Sequence, residues 1–109
     1  MLEVFERDLP YRCSWHEATE WCNKLGDGWR LPDVHELRKM LASRTQYKMR
    51  GHTYWSLTPG HEEGYVKIMY FKGGAPGWVT NCRKESTGRR VRFVRDVKTV
   101  DKSLKDCTL

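Results

Sequence analysis

The sequence has no long run of apolar residues. A helix that crosses a bilayer needs about 20 mostly apolar residues in a row, and no segment of the 109 residues approaches that length. The stretch from Met1 to Pro10 also lacks the basic and apolar regions of a secretory signal. With Met1 taken as the native start, we expect a protein of the bacterial cytoplasm that has no membrane partner.

Metal-ligand spacings are absent as well. The cysteines are Cys13, Cys22, Cys82 and Cys107, and no two of them have the Cys-x-x-Cys spacing of a zinc site. The histidines form no His-x-x-x-His pair, and the loops carry lysine and arginine where calcium would need several carboxylates. The sequence therefore predicts no metal and no cofactor, and it predicts thiols that are reduced and partly buried.

Acidic residues are scarce in the second part of the chain. Residues 65–109 contain eleven Lys/Arg and four Asp/Glu, whereas residues 1–64 contain nine and ten. The formal net charge of +6 therefore arises after Gly64. This asymmetry is typical of proteins that bind an anionic partner, such as a nucleic acid, a sulfated or phosphorylated polymer, or an acidic protein face. It can equally serve solubility alone.

The composition is that of a packed globule. Hydrophobic residues make up 39% of the chain and charged residues 31%, and five Trp and five Tyr are spread along it. A chain of this length can bury one hydrophobic core. We expect a single domain over residues 1–97, followed by a loosely packed tail over residues 98–109, which has little apolar content.

Two capping pairs mark the starts of two amphipathic helices. In each pair a short polar side chain is followed three residues later by Glu, so that the two can satisfy the exposed backbone donors of a helix start. Apolar residues then recur at steps of three and four, which indicates one buried face. The pairs are Ser14 with Glu17, before a helix that begins at Trp15, and Asp33 with Glu36, before a helix over Val34–Ala42.

Runs of β-branched and aromatic residues bounded by turn formers predict strands. A loop with one short strand is expected between Ser43 and Gly64, and a polar loop between Asn81 and Arg89. Helices followed by strands are typical of an α+β domain with an antiparallel sheet. The predicted strands are Leu2–Glu6, Tyr54–Thr58, Tyr65–Phe71, Gly77–Thr80 and Arg90–Arg95.

Six short motifs occur in an order that matches a known family. They are Ser14-Trp-His-Glu-Ala18, Trp21-Cys22, Trp29-Arg-Leu-Pro32, Glu36-Leu37, Tyr54-Trp-Ser-Leu-Thr58 and Val91-Arg-Phe-Val-Arg95. Over about residues 13–96 the chain resembles the C-terminal domain family of collagen-like bacterial adhesins. The resemblance implies a C-type-lectin-like fold, with two helices packed on small antiparallel sheets, and a binding function rather than catalysis.

Two positions depart from that family. Phe93 stands where the family often has a cysteine, so the disulfide that the resemblance implies for Cys22 cannot form there. Leu57 replaces a second Ser. Relatives often follow export signals in larger surface proteins, whereas this basic domain begins at Met1. We therefore expect a protein encoded by a bacteriophage or another mobile element.

Cations and aromatic residues form two candidate contact groups, because guanidinium groups and exposed Trp are typical interface anchors. Alternation predicts that Arg92 faces solvent or a partner, and Arg30 is expected to bind buried carbonyls or a carboxylate. The alternative for the first group is a solvated hairpin. The first group is Lys72, Trp78, Arg83, Lys84, Arg89 and Arg90, and the second is Tyr47, Arg50, His52 and Tyr54.

These observations predict a non-enzymatic module that engages, and can inhibit, a host protein with an acidic surface. The alternative is a domain that binds a polyanion, either a sulfated glycan or a nucleic acid. The segment from Trp29 to Pro32 also resembles the formylglycine-generating enzymes, which need a reactive cysteine pair. The chain is far shorter than those enzymes and lacks their Gly-Gly-Ser-Trp segment, so catalysis by Cys82 and Cys107 is not expected.

Overall fold

The described residues form a small α+β fold with two longer helices, one single-turn helix and two small antiparallel sheets. The computed structural model describes residues 2–49, 53–70 and 78–97. Strands β1 and β5 form one sheet, and the other has the order β2-β3-β4. The elements are β1 (Leu2–Val4), α1 (Trp15–Leu25), α2 (Val34–Ala42), a single turn α3 (Arg44–Tyr47), β2 (Thr53–Pro59), β3 (Tyr65–Tyr70), β4 (Trp78–Arg83) and β5 (Val94–Asp96).

Side-chain caps begin both longer helices, as predicted. The Ser14 hydroxyl accepts from the backbone nitrogen of Glu17 at 3.1 Å. At α2 the capping box is complete, because Asp33 accepts from the Glu36 nitrogen at 2.8 Å and Glu36 accepts from the Asp33 nitrogen at 2.9 Å. The α1 and α2 predictions are confirmed. The short α3 was not predicted, because its polar sequence carries no apolar stripe.

The strand predictions are correct in order but wrong at several ends. The strand at the N-terminus is shorter than expected and ends at Val4. The loop expected from Asn81 does not begin there, because residues 81–83 still pair with residues 65–67 and extend β4 to Arg83. The last strand, predicted over Arg90–Arg95, is observed over Val94–Asp96. Arg90 lies outside it and makes a single parallel bridge to Tyr54. Phe71, Gly77 and the tail from Lys98 lie outside the described residues.

The three-stranded sheet packs against hydrophobic clusters on both of its faces. Alternation along β3 places Val66 and Ile68 in one cluster, together with Ala18 of α1. Met69 lies in the other cluster, together with Leu37 of α2. The two helices therefore cover opposite faces of the sheet.

The side chain of Arg30 joins α2 to β5. Its guanidinium donates to both carboxylate oxygens of Glu36, at 2.8 and 2.9 Å, and to Asp96 at 3.2 Å. It also donates to the Leu31 carbonyl at 3.2 Å. The backbone of Arg30 exchanges hydrogen bonds with Val94 at 2.8 and 2.9 Å. The predicted role of Arg30, binding a carboxylate and a carbonyl within the fold, is confirmed.

Among the described residues, no helix is both long enough and apolar enough to cross a membrane.

Arg30→Ala is expected to lower the free energy of unfolding by about 1–3 kcal/mol, because it leaves partly buried acceptors without their donor. Chemical denaturation of the two proteins measures the difference. Arg38→Ala is the control, since Arg38 is an exposed arginine on α2, and it should unfold like the parent. If Arg30→Ala keeps the parental unfolding midpoint but no longer binds its partner protein, Arg30 is a contact residue and not a structural one.

The difference in the free energy of unfolding between the parent and Arg30→Ala should depend on pH. The hydrogen bond from Arg30 holds the pKa of Glu36 below its ordinary value of 4.5. The stability that ionised Glu36 contributes is therefore present above pH 4.5 and is lost as the pH falls through the lowered pKa. The gap between the parent and Arg30→Ala should accordingly narrow in acid. A gap that is constant from pH 6 to pH 3 would contradict this origin.

Candidate binding surface

An aromatic pair lies exposed at the start of β4. Trp78 is 67% exposed and Tyr70 is 37% exposed. The two residues are direct cross-strand partners, and their ring centroids lie 6.3 Å apart. Large aromatic side chains are usually buried in a globular protein, so an exposed pair of them is a candidate contact site.

The pair lies on a strand that has a free side within the described residues. There, β4 pairs only with β3. The Lys84 nitrogen donates to the Gly64 carbonyl at 3.0 Å, and the antiparallel pattern then directs the backbone groups of Val79 and Asn81 away from β3. Strand β4 therefore offers both side chains and backbone groups to a partner.

The cations at the other end of β4 contact aromatic rings. The Arg83 guanidinium lies 5.5 Å from the centre of the Tyr65 ring, and the Lys84 ammonium lies 4.4 Å from that of Trp15. Within the described part of the chain, neither cation has a carboxylate partner. Arg83 follows Trp78 by five positions, which places the two side chains on opposite faces and about 17 Å apart.

Arg89 and Arg90 lie elsewhere, beside β2 and the segment before α1. The Arg90 nitrogen donates to the Thr53 carbonyl at 2.9 Å, and the Trp55 nitrogen donates to the Arg90 carbonyl at 3.0 Å. Arg89 bridges to Cys13. The first predicted group therefore separates into Trp78, Arg83 and Lys84 along β4 and Arg89 with Arg90 across the sheet. Lys72 lies outside the described residues.

The second predicted group is not a surface patch in the described residues. Tyr54 is fully buried, and its hydroxyl donates to Asp8 at 2.8 Å. A contact role for Tyr54 is thus wrong for this structure, because β2 turns that ring into the core between the sheet and α2. Tyr47 is half-buried against the same core. Arg50 and His52 lie outside the described residues.

Arg92 is also buried, contrary to the prediction from alternation. It is 1% exposed and donates to Asp8 at 2.9 Å. It also donates to the carbonyls of Phe5 at 3.1 Å and Lys48 at 3.2 Å. Alternation fails here because Val91, Arg92 and Phe93 are all covered by protein, so neither side of this segment faces solvent. The only hint in the sequence that Arg92 could be buried is the presence of Asp8 as a possible ion-pair partner. The two residues are 84 positions apart, so local pattern rules could not pair them.

The thiols of Cys13 and Cys22 are poor nucleophiles. Cys13, Cys22 and Cys82 are free cysteines. Burial raises the pKa of Cys22 to about 11, and burial together with the nearby charge of Glu17 raises the pKa of Cys13 to about 11. Among the described residues, no three His, Cys, Asp or Glu side chains come together as a metal site. With these raised pKa values, few of the Cys13 and Cys22 thiols are thiolates near neutral pH.

Neither a scan against protein-family models nor a search of the curated proteins finds a match for this chain. The likeness to the adhesin C-terminal domains stays a prediction from the sequence motifs.

Thiol titration tests the state and reactivity of the cysteines. Under denaturing, non-reducing conditions we expect all four cysteines of the chain to react. In the native protein at pH 8, Cys13 and Cys22 should be alkylated about 100-fold more slowly than an ordinary thiol, since their thiolate fraction is lower by that factor. Reaction of fewer than half the thiols after denaturation, or rapid native alkylation of Cys22, would contradict the expectation.

Proposed function

We propose that this chain is a non-enzymatic protein-binding module with a C-type-lectin-like fold, which engages an acidic surface of a host protein along β4. In this proposal it is encoded by a phage or mobile element and acts in the bacterial cytoplasm, where it can inhibit the host protein. The observation that carries the proposal is the exposure of Trp78, beside Tyr70, on a strand whose second side is unpaired among the described residues.

The aromatic pair supplies the apolar anchor. A Trp that is already held by its strand loses little side-chain entropy on binding and buries a large area, which is why Trp is enriched among the residues that dominate interfaces. Tyr70 supports one side of the ring. Burial of this pair by a partner would remove exposed apolar surface and stabilise the complex.

Strand β4 is long enough to connect the anchor with the cations. An interface of ordinary size buries about 800 Å² per partner, and the six residues of β4 span about 17–20 Å. A partner that pairs with this second side of β4 reaches both faces of the strand, so it would contact Trp78 at one end and Arg83 and Lys84 at the other. Because those cations have no internal carboxylate among the described residues, an acidic partner surface complements them.

The core supports the proposed fold. The motifs shared with the adhesin domains supply buried residues, since Leu31, Trp55 and Val91 are fully covered. The guanidinium of Arg30 binds Glu36, so two of the motifs meet in space. Because the shared motifs form the core, they determine the fold and not the binding specificity. In this proposal, specificity comes from surface residues such as those of β4.

Binding kinetics with a partner captured from a bacterial lysate test the surface. Trp78→Ala should mainly speed dissociation, because it removes buried contacts, and the double variant Arg83→Glu and Lys84→Glu should mainly slow association. The control for the first is Leu57→Ala, another exposed apolar residue. The control for the second is Arg38→Glu with Lys39→Glu, two exposed cations of α2. If both test variants bind like the parent, the captured protein does not use β4.

Salt separates the proposal from its alternative. A packed aromatic interface should keep its affinity within about 10-fold between 50 and 200 mM salt, whereas a reader of polyanions that neutralises several phosphates loses about 10³-fold or more through counterion release. Affinity is measured at both concentrations for the captured protein, for heparin and for a duplex DNA. Tight, steeply salt-dependent binding to heparin or DNA, without a protein partner, would favour the sulfated glycan or nucleic acid.

A further inference from the structure

A second site lies on the other side of the sheet from Trp78. The segment 6–10 forms a pocket of about 280 Å³ together with Lys48 and Arg90. Arg90 pairs with Tyr54, whose sheet neighbours Met69 and Val79 share one face. Trp78 precedes Val79 in β4 and so faces the opposite way.

The charges around this pocket are unbalanced. Arg7, Lys48 and Arg90 are cations that have no carboxylate partner among the described residues, and Glu6 is the one lining carboxylate left uncommitted. The other carboxylate, Asp8, is already engaged, since one oxygen accepts from Arg92 and the other from the Tyr54 hydroxyl. The three lining cations and the one free carboxylate give the residues around the pocket a net charge of about +2.

The guanidinium of Arg90 is incompletely hydrogen-bonded within the described residues. Its Nε is buried and has no hydrogen-bond partner in the described structure. A buried donor that is left unmade costs about 1–3 kcal/mol, and native proteins keep few of them. Arg90 as a whole is only partly buried and lines the pocket, so an acceptor bound there could contact its guanidinium and would offset the repulsion among the three cations.

The walls of the pocket are held in place before any ligand binds. Arg92 is buried and donates to the Phe5 carbonyl, to Asp8 and to the Lys48 carbonyl, so it joins the two sides of the pocket. Lys48 has a φ of +57°, a left-handed conformation that a non-glycine residue adopts only when its surroundings impose it. Backbone bonds to Thr53 and Trp55 hold Arg90. Such a frame lowers the entropy lost on binding.

From these observations we infer that Arg7, Lys48 and Arg90 form a binding site for a phosphate group in its doubly charged form. A dianion balances the net charge of the pocket, and the planar fork of an arginine matches two phosphate oxygens. The volume is at the lower end of ligand pockets, which fits one small anion or one phosphate that projects from a larger molecule. The site does not depend on the proposed function of β4.

Titration of the ¹⁵N-labelled protein with inorganic phosphate at constant ionic strength tests the site. We expect saturable amide shifts confined to residues 6–9, 48 and 90 and their neighbours. Sodium chloride should produce none, and acetate should bind at least about 10-fold more weakly, because it carries a single charge. Shifts that do not saturate, or that chloride reproduces, would overturn the assignment and show only general screening.

Variants locate the binding groups. Arg7→Gln and Lys48→Gln change exposed side chains and should each weaken phosphate binding about 10-fold, the loss expected for one charge-assisted contact of about 1.4 kcal/mol. Arg90→Lys keeps the charge, loses the fork and should also weaken it. Arg38→Gln is the control for net charge. Parental affinity in both Arg7→Gln and Lys48→Gln would refute the site, even if Arg90→Lys failed to fold.

O-phosphoserine distinguishes the sources of the phosphate. Equal affinity for O-phosphoserine and inorganic phosphate would mean that the pocket recognises the phosphate alone, and tighter binding of O-phosphoserine would mean that a larger molecule presents it. Failure of O-phosphoserine to bind, while inorganic phosphate binds, would restrict the site to the free ion. Absence of binding by both probes would overturn the inference without any bearing on β4.

Discussion

The buried ion pair between Arg92 and Asp8 is the contact on which the arrangement of this domain depends. Arg92 joins the segment after β1 to the turn after α3, and Asp8 also accepts from Tyr54 of β2. Removal of one partner from such a pair leaves a charge in the interior, which costs about 3–5 kcal/mol. Through these bonds the buried Arg92 side chain connects three remote segments, and it also shapes one wall of the proposed phosphate pocket.

The two helices bury the middle of the sheet and leave the end at Trp78 exposed. α1 and α2 cover opposite faces around Ile68 and Met69, so the middle of the sheet is core on both sides. The exposed aromatic pair Trp78 and Tyr70 is at the end of the sheet, where β4 begins. The proposed phosphate site is built on the α2 side, against Tyr54. A partner on β4 and a phosphate in the pocket can therefore be bound by the same rigid framework without competing for residues.

Local rules predicted the elements whose causes are local. The capping pairs Ser14–Glu17 and Asp33–Glu36 marked both helix starts, because a cap and its helix lie within four residues of each other. The bond of Arg30 to Glu36 was also within reach, since it spans six positions. The same rules missed β4 beyond Thr80, where polar residues 81–83 join the strand only because β3 is beside them.

The sequence by itself determined the two longer helices, the α+β class and the excess of lysine and arginine after Gly64. Only the tertiary structure decided which cations reach a surface. It buried Arg92 on Asp8, placed Arg83 and Lys84 over aromatic rings, and brought Arg90 to Lys48 and Arg7. Charge counts along a chain are additive and local, whereas burial and pairing depend on segments that are distant in sequence and meet only after folding.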